Sequence, residues 1–165
     1  MKTPQVSRPQ FPPGYLLEQP QASVTWETVV QRLSESKNYW LASVCPDGRP
    51  HTIPRWGVFV ENRFYYDGSP ETRHARNLLE NPRVSLHLES GDQALIVEGT
   101  ARPAGKPERA LAEKIAAAYC VKYTDFGYAP EPNQWDEGGL YVFTPQKVLT
   151  WTVFNEDPTK FVFTD

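Results

Sequence analysis

Thr72, Arg73 and His74 place a hydroxyl, a guanidinium and an imidazole side by side at the start of a predicted helix. The preceding segment, Gly-Ser-Pro at 68–70, is typical of a turn, so the first backbone N–H groups of the helix should point to the same place. Helix starts bind anions, and an arginine there opposes the helix dipole unless an anion compensates its charge. The pattern favours a phosphate site at these residues, and a solvated helix face is the alternative.

The arginines are concentrated around this helix. Six of the ten lie between positions 49 and 83, although the whole chain carries a formal net charge of −3. This local positive charge could hold further negative charge on a ligand. The negative net charge argues against a general affinity for nucleic acid or for acidic membranes, so neither is expected as a partner.

Other side chains offer less chemistry. The two cysteines, Cys45 and Cys120, and the three histidines lack the spacing of a metal site, so no metal is expected. Both cysteines are expected to be reduced packing residues. His51 lies in a predicted strand and is a candidate site residue, whereas His87 is expected to be structural. No catalytic side chain is predicted.

The elements that would position these residues are a hairpin and a helix. Strand-like segments flank a turn of Pro-Asp-Gly at 46–48, and Asn81-Pro82 ends the helix. The predicted order is strand 39–44, turn 46–48, strand 51–60, strand 63–66 and helix 71–79.

The rest of the chain divides into an arm and one domain. Residues 1–24 contain five prolines and are predicted to form an extended proline-rich arm, and residues 25–165 are predicted to form a single domain. Part of the arm is expected to pack on the body or on a neighbouring subunit through Phe11, Tyr15, Leu16 and Leu17. The other predicted elements are helices at 25–36 and 107–122, strands at 84–88, 93–102, 140–143, 147–154 and 160–163, and an aromatic loop at 123–137.

The strand count predicts the fold class. At least six antiparallel strands with a few helices indicate a mainly β fold with flanking helices, closed or nearly closed into a barrel. No apolar run approaches the roughly 20 residues that span a bilayer, and the first residues lack the apolar core of a signal peptide. The protein is therefore expected to be cytoplasmic.

Six short segments carry a resemblance to a known family. They are Tyr39-Trp40-Leu41-Ala42, Asp47-Gly48-Arg49-Pro50-His51, Pro54-Arg55-Trp56-Gly57-Val58, Thr72-Arg73-His74-Ala75-Arg76-Asn77-Leu78, Asn81-Pro82-Arg83-Val84 and Glu98-Gly99-Thr100-Ala101. They resemble the split-barrel flavin and deazaflavin oxidoreductases, the relatives of pyridoxamine 5'-phosphate oxidase. The resemblance implies a six-stranded antiparallel split β-barrel, the FMN-binding split barrel. It also implies a homodimer with two cofactor sites at the interface, which bind FMN or the deazaflavin coenzyme F-420.

The resemblance implies roles for individual residues. The second hairpin strand lies along the cofactor ring, segment 72–74 holds the phosphate, and the C-terminal strands reach towards the cofactor of the other subunit. The implied cofactor-binding residues are His51, Thr52, Ile53, Pro54, Arg55, Trp56, Thr72, Arg73, His74, Trp151 and Lys160. Two positions depart from the family, since His74 stands where lysine is common and Lys160 lies in Thr-Lys-Phe rather than Thr-Arg-Trp. A histidine is a weaker phosphate partner near neutral pH.

The expected function is hydride transfer between the cofactor and a small organic substrate. The alternative is a protein of the same fold that carries a flavin, haem or another tetrapyrrole without turnover. Haem would require an axial ligand such as His51, His74 or His87. Trp56 is equally well explained as a core residue or as a wall of the ring site.

Overall fold

The computed structural model describes residues 4–18 and 23–164 of the chain. Within these residues the chain forms strands, three α-helices and a short 3-10 helix at Thr124–Phe126. The strands are β1 (Gln5–Ser7), β2 (Tyr39–Val44), β3 (Pro50–Arg55), β4 (Val58–Val60), β5 (Arg63–Asp67), β6 (Arg83–His87), β7 (Leu95–Pro103), β8 (Leu140–Thr150) and β9 (Thr159–Val162). The helices are α1 (Trp26–Glu35), α2 (Arg73–Glu80) and α3 (Arg109–Tyr123).

Seven strand segments close into a ring of six strands, as the sequence predicted. Antiparallel pairing joins β2 to β3, β4 to β5, β5 to β8, β8 to β7, β7 to β6 and β6 back to β2. Because β4 continues β3 after two residues, β3 and β4 together count as one bent strand of the barrel. The C-terminal half of β8 stays paired with β7 but has β9 instead of β5 on its other side, and β9 in turn pairs with β1. The result is a mainly β, six-stranded split barrel with flanking helices.

The bend between β3 and β4 corrects the predicted single strand at 51–60. Gly57 lies at the break, where a side chain would not fit: a Cβ atom would lie 2.3 Å from the Phe64 ring and 2.6 Å from the backbone oxygen of Tyr65. The backbone of the bend can therefore approach β5 closely only with glycine at this position. The bend redirects the chain at Trp56.

The predicted break in β8 at Pro145 is wrong, because β8 runs unbroken from Leu140 to Thr150. Proline is compatible with a strand at a bulge, and the pairing with β7 shifts there, since Gly99 pairs with Pro145 while Glu98 pairs with Lys147. Gly99 allows the close approach, as a Cβ atom on it would lie 2.2 Å from the carbonyl oxygen of Thr144. The strand predicted at 147–154 accordingly ends at Thr150.

Helix boundaries agree closely with the sequence. Helix α1 begins after Thr25, whose hydroxyl accepts a hydrogen bond from the backbone N–H of Thr28. Helix α2 begins at Arg73, so Thr72 is its N-cap residue and lies just outside the first turn. Helix α3 begins at Arg109, two residues after the proline that was expected to open it.

Two apolar clusters occupy the two faces of the barrel wall. The alternation of strand side chains sends Phe64 and Tyr66 into the barrel interior and Tyr65 to the outside. The inner cluster includes Leu41, Leu86, Val97 and Phe143. The outer cluster joins the barrel to α3 through Ile115, Tyr119, Tyr123, Trp135 and Val142.

The described part of the N-terminal arm, residues 4–18, packs on the domain. Gln5–Ser7 adds the edge strand β1, which the sequence did not predict. Phe11 and Tyr15 contact Phe154 edge to face, with ring centroids 5.3 and 6.5 Å apart. These contacts agree with the expectation that arm aromatics pack on the body, while residues 1–3 and 19–22 lie outside the described part. No helix in the described residues is long and apolar enough to cross a membrane.

Candidate functional site

Arg55 and His74 meet where β3 ends and α2 begins. The Nη2 of Arg55 lies 2.6 Å from Nδ1 of His74, and the guanidinium lies 5.9 Å from the ring centre of Tyr66. Gly68 leaves room for this arginine, since a Cβ atom on it would lie 3.3 Å from Nη1. Within the described residues, Arg55 forms no ion pair, its hydrogen bonds go to His74 alone, and its buried Nε has no partner.

His74 is fully buried, with no exposed surface. Its ring lies between Tyr66 and Tyr141, at centroid distances of 5.7 and 5.5 Å. Burial, and secondarily the positive charge of Arg55 and the nearby His51, lower the pKa of His74 from 6.5 to about 4. The imidazole is therefore neutral at physiological pH. The burial also means that His74 itself offers no surface to a ligand in this conformation.

Thr72 links His74 to the loop before α2. Its hydroxyl lies 2.8 Å from Nδ1 of His74 and donates to the carbonyl oxygen of Ser69 at 2.9 Å. Because this hydroxyl is directed at His74 and Ser69, it does not cap α2. The first backbone N–H groups of the helix are thus left without a side-chain acceptor from Thr72.

Arg73 is exposed at the first position of α2, and the described residues provide it with no ion pair. Arg76, one turn further along, is also exposed, but its Nη2 donates to the carbonyl oxygen of Glu71 at 2.7 Å. The two arginines therefore differ in a way the sequence did not reveal. Among the described residues, Arg73 has no acceptor for its charge, which lies beside the helix start.

A cavity of about 320 Å³ lies beside the bend at Trp56, and its lining residues are Asn38, Pro54, Arg55, Trp56 and Asp67. One face of the indole stacks on Tyr123, with centroids 4.8 Å apart and planes inclined by 16°. The ring is nevertheless 38% exposed, so Trp56 is a wall residue supported from behind rather than a core residue. Asp67, on the same wall, accepts a hydrogen bond from the Tyr128 hydroxyl.

The remaining residues predicted on β3 alternate in exposure. Thr52 and Pro54 are exposed, whereas His51, Ile53 and Arg55 are half-buried. Ile53 packs on the inner cluster. Strand β3 is hydrogen-bonded to β2 along one edge, and among the described strands its other edge has no pairing partner. These residues therefore share one strand with Arg55 and lead to the cavity.

Trp151 and Lys160 lie at the other end of the sheet. The sheet runs in the order β1, β9, β8, β7, β6, β2, β3, so Lys160 in β9 is separated from β3 by four strands within one subunit. Trp151 follows β8 and contacts Phe154 edge to face at 5.2 Å. The structure thus brings together the predicted residues of β3 and α2, and it does not bring Trp151 or Lys160 to them within one chain.

Sequence reasoning missed one charged group near the bend. Lys122, at the end of α3, donates to the carbonyl oxygen of Gly57 at 3.1 Å and to the hydroxyl of Tyr39. Burial lowers the pKa of Lys122 to about 7. No local pattern could have found it, since its position depends on how α3 packs on the barrel.

Comparisons with known proteins agree with this architecture. The family model described as pyridoxamine 5'-phosphate oxidase matches residues 25–152 of the chain. A search of curated protein sequences gave no significant match. Among solved structures, one named as an F-420 reductase is 24% identical, with a TM-score of 0.50, and the match covers 70% of this chain and 92% of that one.

Two further solved structures show the same fold with different named ligands. A FAD-binding protein from Mesorhizobium loti is 18% identical, with a TM-score of 0.58, and the match covers 86% of this chain and 96% of that one. A heme storage protein from Vibrio cholerae is 22% identical, with a TM-score of 0.55, over 74% of this chain and 92% of that one. At these identities the similarity shows the fold and leaves the ligand open.

Proposed function

The chain belongs to the pyridoxamine 5'-phosphate oxidase family, and from that premise we propose that it is a flavin- or deazaflavin-dependent oxidoreductase. The reaction is hydride transfer between a cofactor, FMN or coenzyme F-420, and a small organic substrate. The neighbours named as an F-420 reductase and a FAD-binding protein support a cofactor of this type. The cytoplasmic location expected from the sequence stays part of the proposal.

One observation carries this proposal: the unneutralised guanidinium of Arg55 in the wall of the cavity beside Trp56. An arginine has five N–H donors, and His74 is the only acceptor bonded to it in the described part of the chain. Such a group suits an anion, since guanidinium and phosphate oxygens form strong charged hydrogen bonds. The residues present therefore fit a phosphate-bearing cofactor.

The residues of β3 would hold the ring of the cofactor. When bound, a flavin or deazaflavin supplies the hydride chemistry itself. The edge of β3, with Thr52 and Pro54 exposed, offers backbone groups to the polar edge of such a ring. Trp56, supported by Tyr123, presents a rigid aromatic surface that excludes water from one side.

The start of α2 would hold the phosphate together with Arg55. The uncapped N–H groups of the helix and the exposed Arg73 both favour an anion at this point. Trp151 and Lys160 would come from a second subunit, because they lie at the far end of the sheet in the same subunit. A homodimer with shared cofactor sites is therefore part of the proposal.

Replacement of Arg73 tests the phosphate site. We expect Arg73→Ala to weaken FMN or F-420 binding by about 1.5–3 kcal/mol, the contribution of a charged hydrogen bond, without a change in melting temperature. Arg76→Ala is the matched control, because Arg76 lies on the same helix but donates to Glu71. Equal affinities for wild type and Arg73→Ala, measured by equilibrium titration, would remove Arg73 from the site.

A haem-binding carrier is the second candidate, and His87 is the observation that favours it. Its Nδ1 donates to the carbonyl oxygen of Leu88 at 2.8 Å, which leaves Nε2 as the free ligand atom. Ligating histidines typically have their other ring nitrogen fixed in this way. A Soret band after haem addition that disappears in His87→Ala would favour the carrier, and a flavin spectrum in the purified protein would favour the oxidoreductase.

A further inference from the structure

We infer that neutral His74 is the positioning residue that holds the Arg55 guanidinium in the cavity wall, where Arg55 binds the anionic group of the ligand. This inference rests on the proposed function for the identity of the ligand. It assigns His74 a role through Arg55 rather than a contact with the phosphate. The burial of His74 and its 2.6 Å contact with Arg55 carry the argument.

The contact fixes which form of the imidazole is present. Arginine has only donors, so the ring nitrogen that faces Nη2 of Arg55 must accept. Nδ1 is therefore unprotonated, and the proton of the neutral ring lies on Nε2. The hydroxyl of Thr72 lies 2.8 Å from the same nitrogen and 2.9 Å from the carbonyl oxygen of Ser69, so it shares its one proton between these two acceptors and Nδ1 stays unprotonated.

The surroundings of His74 preserve this neutral form. The groups that face the ring are Arg55 and His51 from β3, Tyr66 from β5, Tyr141 from β8 and Thr72 from the start of α2. None of them is a carboxylate, and the charged neighbour is a cation. A protonated ring would therefore be opposed both by burial and by Arg55.

A neutral acceptor suits an anion-binding arginine better than a charged partner does. A carboxylate in the place of His74 would orient the guanidinium but would also neutralise it and compete with the ligand. A lysine or an imidazolium there would repel it. Neutral imidazole orients Arg55 through one hydrogen bond and leaves its full charge for the ligand. His74 thus fixes the orientation of the Arg55 guanidinium without neutralising its charge.

Variants at two positions test this role with FMN and riboflavin as probes, since riboflavin lacks only the phosphate. We expect Arg55→Met and His74→Leu each to reduce the preference for FMN by roughly 10- to 100-fold, with riboflavin affinity unchanged. His74→Asn, which can present an amide oxygen near the position of Nδ1, should retain the preference within about threefold. For the deazaflavin, coenzyme F-420 and its chromophore make a coarser comparison, because the chromophore lacks the oligoglutamate tail together with the phosphate.

The outcomes distinguish a failure of the proposed function from a failure of the positioning role of His74. A wild type that binds neither cofactor overturns the proposed function. A wild type that prefers FMN, together with a His74→Leu variant that keeps this preference, overturns the positioning role alone. A His74→Asn variant that loses as much as His74→Leu also overturns it, because rescue by an acceptor is what distinguishes positioning from packing.

A second test detects the protonation of the His74 ring directly in the wild-type protein. In ¹⁵N-histidine NMR spectra at about pH 7, the His74 ring should show an unprotonated Nδ1 and a protonated Nε2. The His74→Asn spectrum assigns this signal among those of His51 and His87. A ring protonated at Nδ1, or an imidazolium, would overturn the inference whether or not a cofactor binds.

Discussion

The buried neutral His74 predicts a distinct dependence of stability on pH. Its pKa is about 4 in the folded protein and 6.5 in the unfolded chain. Between these values the unfolded chain binds more protons, so the free energy of unfolding must fall as the pH is lowered from about 6.5 towards 4. The side chain is fully buried, which is why water does not relieve this penalty.

The size of this loss in stability follows from the pKa shift of His74. At 1.36 kcal/mol for each pKa unit, the full loss is about 3 kcal/mol, of which about 2 kcal/mol is expressed at pH 5. Stability at pH 7.5 is almost unaffected, because His74 is then neutral in both states. The loss should therefore appear over a window in which most carboxylates are still ionised.

Urea unfolding at about pH 7.5 and pH 5 measures this loss, and His74→Asn is the matched control. Asparagine preserves a hydrogen-bond acceptor for Arg55 but does not titrate. Wild type should lose about 2 kcal/mol more than the variant between the two pH values. An identical loss in both proteins would refute the neutral, buried state of His74, on which the positioning of Arg55 also depends.

Two further predictions concern the barrel and its outer cluster. Gly99→Ala should lower the free energy of unfolding by about 1–3 kcal/mol, because the new Cβ atom would lie 2.2 Å from the Thr144 carbonyl oxygen. Gly91→Ala is the control and should change this free energy little, since no atom lies near the new Cβ atom. Equal urea midpoints for the two variants would contradict the observed bulge. Burial lowers the pKa of Lys122 from 10.5 to about 7. Between pH 7 and pH 10.5 the unfolded chain therefore binds more protons than the folded protein. The free energy of unfolding of the wild type should rise by about 1–2 kcal/mol from pH 7 to pH 9. This rise should be absent in Lys122→Met, and denaturant titrations showing the same rise in both proteins would contradict the buried amine.

Local sequence signals were sufficient for the helices and for most strands. Thr25 caps α1 where the pattern placed it, and β-rich composition identified the strands on either side of the Pro-Asp-Gly turn. Local sequence signals failed where the structure depends on a residue distant in the chain. Pro145 is typical of a turn in isolation, but it lies in the middle of β8 because β7 provides a bulge and Gly99 opposite it.

The candidate site shows the same division. The sequence predicted a phosphate site at segment 72–74, and the family resemblance placed Arg55 on the strand along the cofactor ring. The structure brings both groups to the junction of β3 and α2. The sequence could not show that His74 is buried and bonded to Arg55, because that contact depends on how α2 packs against the barrel. The position of Lys122 behind the bend is hidden from sequence for the same reason.

Titration of the purified protein with FMN and with coenzyme F-420, followed by fluorescence at physiological salt, tests the proposed function most directly. The account predicts saturable binding of at least one of them, with one site per chain, and a marked loss of that binding in Arg55→Met. The absence of binding to both cofactors, in a protein that is folded and dimeric by sedimentation, would contradict it. A wild-type affinity that survives in Arg55→Met would show that the cofactor lies elsewhere on the molecule.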